Sequence, residues 1–162
     1  MTKSILFLVF CLLGSIAASA QSQSTSSDLL QERLYKLSGK FPLNCGMVGI
    51  GESPDKATNC ALASFTIKQP FYISYFERSL DSESGEGLAY DGAKIFSLDF
   101  DSMGWSREGL KKSDTITDGN HIIIHACPRP FALYKTQNGR LTCFPPSSPK
   151  TKGNVMSPHF EY

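Results

Sequence analysis

The chain has almost no net charge, a single tryptophan and none of the short motifs that mark the commonest enzyme classes. Its 16 basic residues meet 15 acidic ones in 162 positions, and loss of Lys3 with a cleaved leader would bring the balance to zero. Phosphate backbones and anionic lipid surfaces need a surplus of Lys and Arg gathered on one face, so the composition argues against both as partners. No serine stands in G-x-S-x-G, no glycine loop reads G-x-x-x-x-G-K, and H-E-x-x-H does not occur. The nucleophile elbow, the phosphate cradle and the zinc-protease pair are therefore missing. Gly49-Ile50-Gly51 lacks the third glycine of a dinucleotide fingerprint and reads as a tight loop.

Long apolar runs are equally scarce. The one that exists, Ile5 to Ile16, follows Lys3 and precedes Ala18-Ser19-Ala20, a small-x-small cleavage site. It is short against the ~20 residues of a spanning helix, so residues 1–20 are expected to be a secretory signal peptide, with no stable membrane insertion after cleavage. Cys11 sits behind Val9-Phe10, where a lipidation site would want a small residue, so lipid attachment is not expected. A flexible, Ser- and Gln-rich leader should follow over 21–27, then one domain over 28–144, then a Pro- and Ser-rich tail, expected to be disordered, over 145–162.

Export changes the meaning of the cysteines. Of five, Cys11 leaves with the signal, and Cys45, Cys60, Cys127 and Cys143 remain. An even number in an exported domain reads as disulfides. Pairing Cys45 with Cys60 and Cys127 with Cys143 closes two loops of roughly 15 residues, each stabilising by ~3 kcal/mol, and is favoured over the crossed pairings, which stay open. A tetrahedral zinc site would want C-x2-C or C-x4-C spacings, which are absent.

Leu29, Leu30, Leu34 and Leu37 form the stripe of a first helix, capped at Asp28 and ended by Gly39. Residues 41–51 read as a loop or a short strand around Met47-Val48. Ser53-Pro54 opens a second helix whose Ala57, Cys60, Ala61, Ser64 and Phe65 make a close-packing face. Phe71 to Phe76 is apolar on both faces, as in a central strand or one with an exposed aromatic patch. An acidic loop is expected over 79–87, and Asp91-Gly92 joins Gly87–Tyr90 to Ala93–Asp101 as a hairpin. On the return strand Phe96, Leu98 and Phe100 should point inward and Ser97, Asp99 and Asp101 toward water. A long loop over 102–120 with a helical turn at 107–112, a strand from His121 to Cys127 and a hairpin at Asn138-Gly139 complete the chain. The fold class is thus α+β, with two helices on one face of an antiparallel sheet of about five to six strands. Its order of helix, strand and hairpin over Pro54 to Asp101 resembles the PepSY type of secreted module found in inhibitory propeptides, in element order and with no single residue matched.

The candidate chemistry is sparse. His121 and His125 flank Ile122-Ile123-Ile124, a β-branched run, and residues four apart on a strand lie ~13 Å apart, too far to share one ion. Cys127 with His125 as base would lie ~6.5 Å apart, and the thiol is expected to be oxidised. Glu77, Asp99 and Asp101 could supply paired carboxylates for an envelope hydrolase, although alternating acids also keep a sheet face soluble. The run from Asp99 to Gly104 fails as a calcium loop, with Met103 and Leu110 where oxygen ligands belong. No cofactor or metal is expected. The leading expectation is a small non-enzymatic binding protein, inhibitor-like, secreted or periplasmic, meeting another protein or an envelope component through Tyr72, Phe76, Tyr90, Trp105, Asp99 and Asp101. The alternatives are the hydrolase and a purely structural envelope protein.

Overall fold

A computed structural model describes residues 26–78, 81–105 and 114–145. The expected signal peptide, most of the expected leader, the helical turn expected at 107–112 and the expected tail from 146 lie outside the described residues. The elements are α1 (Ser26–Leu37), β1 (Leu43–Val48), α2 (Asp55–Thr66), β2 (Phe71–Arg78), β3 (Glu83–Tyr90), β4 (Ile95–Asp101), β5 (Thr115–Thr117), β6 (Ile122–Ala126), β7 (Tyr134–Lys135) and β8 (Leu141–Thr142). Strands β1-β2-β3-β4-β6-β5 form one six-stranded sheet in that order, and β7-β8 form a separate hairpin. The fold is α+β, with disulfides Cys45–Cys60 and Cys127–Cys143, the sequence-local pairing. Two disulfides are compatible with an extracellular or periplasmic setting.

The sheet is mixed, not antiparallel throughout, because β1 runs parallel to β2. Adjacent parallel strands need a crossover, which α2 supplies, and a crossover helix lies across one face of its sheet. On that face Ala57 and Ala61 of α2 meet Val48, Phe71, Ile73, Tyr75, Leu88, Tyr90 and Ile95. The opposite face takes α1, whose Leu30 and Leu34 pack with Phe76, Ala89, Leu98, Phe100 and Ile122. The two helices therefore divide between the faces instead of sharing one. The two-sided aromatic pattern of β2 reflects this: it is the second strand of the sheet and is covered on both sides.

Strand β3 starts at Glu83, four residues before the glycine at which a hairpin strand was expected. Gly85 and Gly87 disguise it, since glycine is depleted in strands. Their purpose is clearance beneath α1. A Cβ on Gly87 would stand 2.6 Å from Leu34 Cδ1 and 3.0 Å from the Ile73 carbonyl oxygen, and one on Gly85 would stand 3.1 Å from Leu30 Cδ2. The sheet is notched where the leucines seat. Arg33 fixes the helix further out, donating from Nε and Nη2 to the two carboxylate oxygens of Asp118 at 2.8 and 2.9 Å.

The β7-β8 hairpin is too short to hold itself, and a directed chain of buried hydrogen bonds secures it. The Leu141 amide donates to Tyr75 Oη at 3.1 Å, that hydroxyl donates to Thr58 Oγ1 at 3.1 Å, and Thr58 donates to the Gly139 carbonyl at 2.8 Å. Burial, the largest influence on the Tyr75 phenol, pushes its pKa up, so it stays a neutral donor. Tyr75→Phe removes the middle of the chain and strands a buried N–H, which should cost ~1–3 kcal/mol. Tyr90→Phe, which loses only a bond to the Gly92 carbonyl, should cost ~0.5–1.5 kcal/mol in the same urea titration. Equal losses would show that the Leu141 amide finds another acceptor.

Candidate binding surface

The sheet has a part that α1 leaves uncovered, and a bulge creates it. In β1, Asn44 pairs with Tyr72 and Met47 with Ser74, so Cys45 and Gly46 together face one residue of β2. Side chains alternate along a strand, and the extra residue reverses the phase. Val48 is thereby returned to the core at 6% exposure, and Met47 is left on the α1 side at 51%. Gly46 takes φ +117, a conformation glycine adopts without a Cβ penalty, and its amide donates to Asn44 Oδ1 at 2.9 Å.

Next to Met47 lies the flank of α1. Gln31 and Tyr35, one turn apart, overhang β2: Gln31 Nε2 donates to Ser74 Oγ, and the Tyr35 ring stands edge-on to Tyr72 with centroids 6.1 Å apart. Tyr72 is half-buried and Tyr35 is 53% exposed. Tyr35, Tyr72 and Met47 make an aromatic and thioether shelf between helix and edge strand, with Asn44 at its polar margin. At the head of β1, Phe41 is 92% exposed and holds φ +52. A bulky side chain seldom occupies that left-handed region, and such strain concentrates where a structure presents something.

Charged groups gather on the other face, beyond the reach of α2. His125 of β6 is 15% exposed and bonded at both ring nitrogens, Nε2 to Asp99 Oδ2 and Nδ1 to Asp114 Oδ1, each at 3.0 Å. Carboxylates only accept, so this arrangement is complete when both nitrogens donate, in the imidazolium form of the ring. Burial, the largest single influence, pulls its pKa down. The hydrogen bonds and charges of Asp99 and Asp114 together outweigh that and leave it raised. Glu77 forms an ion pair with Arg140, whose guanidinium lies over the Tyr75 ring at 5.7 Å.

Of the residues expected at a contact surface, Tyr72 stands half-buried on the shelf beside Tyr35. Phe76 is buried at 9% exposure under α1, near Phe100, and Tyr90 at 5% lies against Phe65 and Phe71. Both are core residues because both faces of their strands are covered. Trp105 is half-buried, and its Nε1 has no hydrogen-bond partner among the described residues. Asp99 belongs to the histidine bridge, Asp101 accepts the Met103 amide in a turn at 2.8 Å, and Glu77 holds Arg140, so each of these carboxylates already serves a structural partner. His121 Nδ1 donates to the Asp101 carbonyl at 3.0 Å. Among the described residues no cluster of His, Cys, Asp and Glu is placed to hold a metal ion. The face of β4 expected to be wet is covered as well, with Ser97 at 4% exposure.

Sequence reading missed Tyr35, Met47 and Asp114. Tyr35 carried a signal, being the one aromatic of α1 outside the leucine stripe. Met47 needed the bulge, and Asp114 needed the pairing of β5 with β6. Comparison with protein-family models, with curated proteins and with solved structures finds no match to this chain.

Proposed function

We propose that the protein is an exported, non-enzymatic binding module that receives apolar side chains of a protein partner on the shelf of Tyr35, Tyr72 and Met47, with Phe41 at its approach. The observation that carries this reading is the position of large, half-exposed apolar groups where the bulge and the edge of α1 leave the sheet bare. Aromatic rings on rigid elements give much contact area for little lost entropy, and Tyr and Met are enriched at interfaces. The even balance of 16 basic and 15 acidic residues suits a partner recognised by shape and apolar contact, not by charge.

The test uses the immobilised full chain against extracellular and envelope proteins of the source cells, with Tyr35→Ala and Met47→Ser as variants and Ile67→Ser as control. Ile67, 70% exposed, lies at the far end of α2. Exposed substitutions of this kind change stability by about 0.5 kcal/mol or less, so folding is preserved. A partner retained by wild type and control should bind each shelf variant roughly thirtyfold more weakly, the effect of losing ~2 kcal/mol at a contact hot spot. Recovery of the same proteins at the same strength by all four forms would remove the shelf from consideration.

A further inference from the structure

The histidine bridge has properties the binding surface does not use. Its three members come from separate places: Asp99 from the middle of β4, His125 from β6, and Asp114 from the residue just before β5. The two carboxylates sit at opposite nitrogens of one ring, so the ring is a strut between a central strand and the edge of the sheet. Asp114 is nearly enclosed, with its side chain 5% exposed, and Asp99 is at 23%. The strut exists in full only while the ring carries two protons. A neutral imidazole has one N–H and one acceptor nitrogen, and an acceptor facing a carboxylate at 3.0 Å is repelled.

We propose that Asp99, His125 and Asp114 form a proton-operated latch that holds the Asp114 end of β5 against β6 when the ring is doubly protonated and frees that end when one proton leaves. The edge gives way and not the centre, for a plain reason. β4 is paired on both sides, by β3 and β6, whereas β5 has three residues and one neighbour. The far end of β5 stays tied, because Arg33 holds Thr117 and Asp118. Release is therefore a hinge-like opening at one end of the strand and not loss of the strand. Other charged groups on this side are Glu86, the cross-strand neighbour of Asp99 on β3, and Arg140 with Glu77 at the β8 hairpin. The Phe144 ring stands edge-on to His125 at 6.4 Å and carries no charge.

The sign follows from linkage. The latched ring, bonded to both carboxylates, binds its proton more tightly than the ring released from Asp114, which keeps Asp99 alone. The latch is thus fully effective below the pKa of the released ring and weakens as pH rises through the raised folded value. Amide hydrogen exchange on the full chain from about pH 5.5 to about pH 9, corrected for intrinsic rates, reads it directly. The opening constant for β5 amides should rise by up to about tenfold per pH unit between the released and the folded pKa of the ring and then level off, while β2 and β3 amides stay unchanged. His125→Gln should show the open-end exchange rate at every pH. Asp114→Asn, which keeps the shape of its side chain, should shrink the pH dependence, and the His125 ring titration in wild type by NMR needs no variant at all. A flat β5 profile in wild type, or a dependence that survives in His125→Gln, would overturn the latch.

Discussion

Replacing Cys127 and Cys143 by alanine should lower the stability of the domain by about 3 kcal/mol or more and free the β7-β8 hairpin before the rest unfolds. The first part is loop closure, since the two cysteines are separated by 16 residues and the bridge removes that freedom from the unfolded chain. The second part is local. Cys127 follows β6, Cys143 follows β8, and both are buried, at 7% and 1% exposure. The hairpin has two residues in each strand, and its hold on the body rests on this bridge, the Tyr75 chain of hydrogen bonds, Arg140 and the packing of Leu141. Cys45→Ala with Cys60→Ala opens a loop of similar size, 15 residues, and should also cost ~3 kcal/mol. There, however, Val48, Ala57 and Ala61 still hold β1 and α2 to the core. Guanidinium titrations separate the two cases. The Cys127/Cys143 variant should show a broadened transition and early protease cleavage within 131–142, whereas the Cys45/Cys60 variant should keep one sharp transition at lower denaturant. Identical curves would mean that the Tyr75 hydrogen bonds, Arg140 and the packing of Leu141 hold the hairpin without the bridge.

Gly87→Ala is the second large effect, and its sign is contrary to strand propensity. At an open strand position alanine in place of glycine gains stability, but here the new Cβ would meet Leu34 Cδ1 at 2.6 Å, Leu34 Cδ2 at 2.8 Å and the Ile73 carbonyl at 3.0 Å. Overpacking of this kind costs ~1–3 kcal/mol. Leu34→Ala, which empties a fully buried site beneath α1, should cost ~2–5 kcal/mol. The two changes act on one space, so the double variant should lose less than the sum, by ~0.5–3 kcal/mol. Strict additivity in thermal or urea unfolding would show that α1 shifts sideways and that the notch does not set its position.

These two predictions mark where sequence reading succeeds and where it stops. The disulfide pairing was legible because loop length favours it, and α1, α2, β2 and a hairpin at Asp91-Gly92 were legible because their signals are local, although Tyr90 pairs with Ile95 and the loop takes residues 91–94 instead of two. The start of β3 was not. Gly85 and Gly87 look like loop residues until the helix that crosses them is known. The placement of the helices on opposite faces turns on the parallel pairing of β1 with β2, which no local pattern announces. The same limit applies to the sites. Tyr72 was legible as a half-exposed aromatic, but Phe76 and Tyr90, its equals in composition, went to the core because α1 covers the first and α2 the second. His125 and Asp99 could be picked out in the sequence, yet their joint role depended on Asp114, brought beside them by a three-residue strand.

The position of α1 also bears on the order in which the molecule assembles. Its hydrogen bonds to Ser74 and Asp118 span 43 and 85 residues of chain, whereas the β1-α2-β2 crossover and the hairpins that follow it join near neighbours. Longer closures forfeit more chain entropy before any contact repays it, so the helix nearest the start of the described chain is the last layer to be laid down. Until it docks, the row of Phe76, Leu98, Phe100 and Ile122 faces solvent. That interval is when a refolding sample is most prone to aggregate, and dilution, which slows encounter but not docking, should raise the yield.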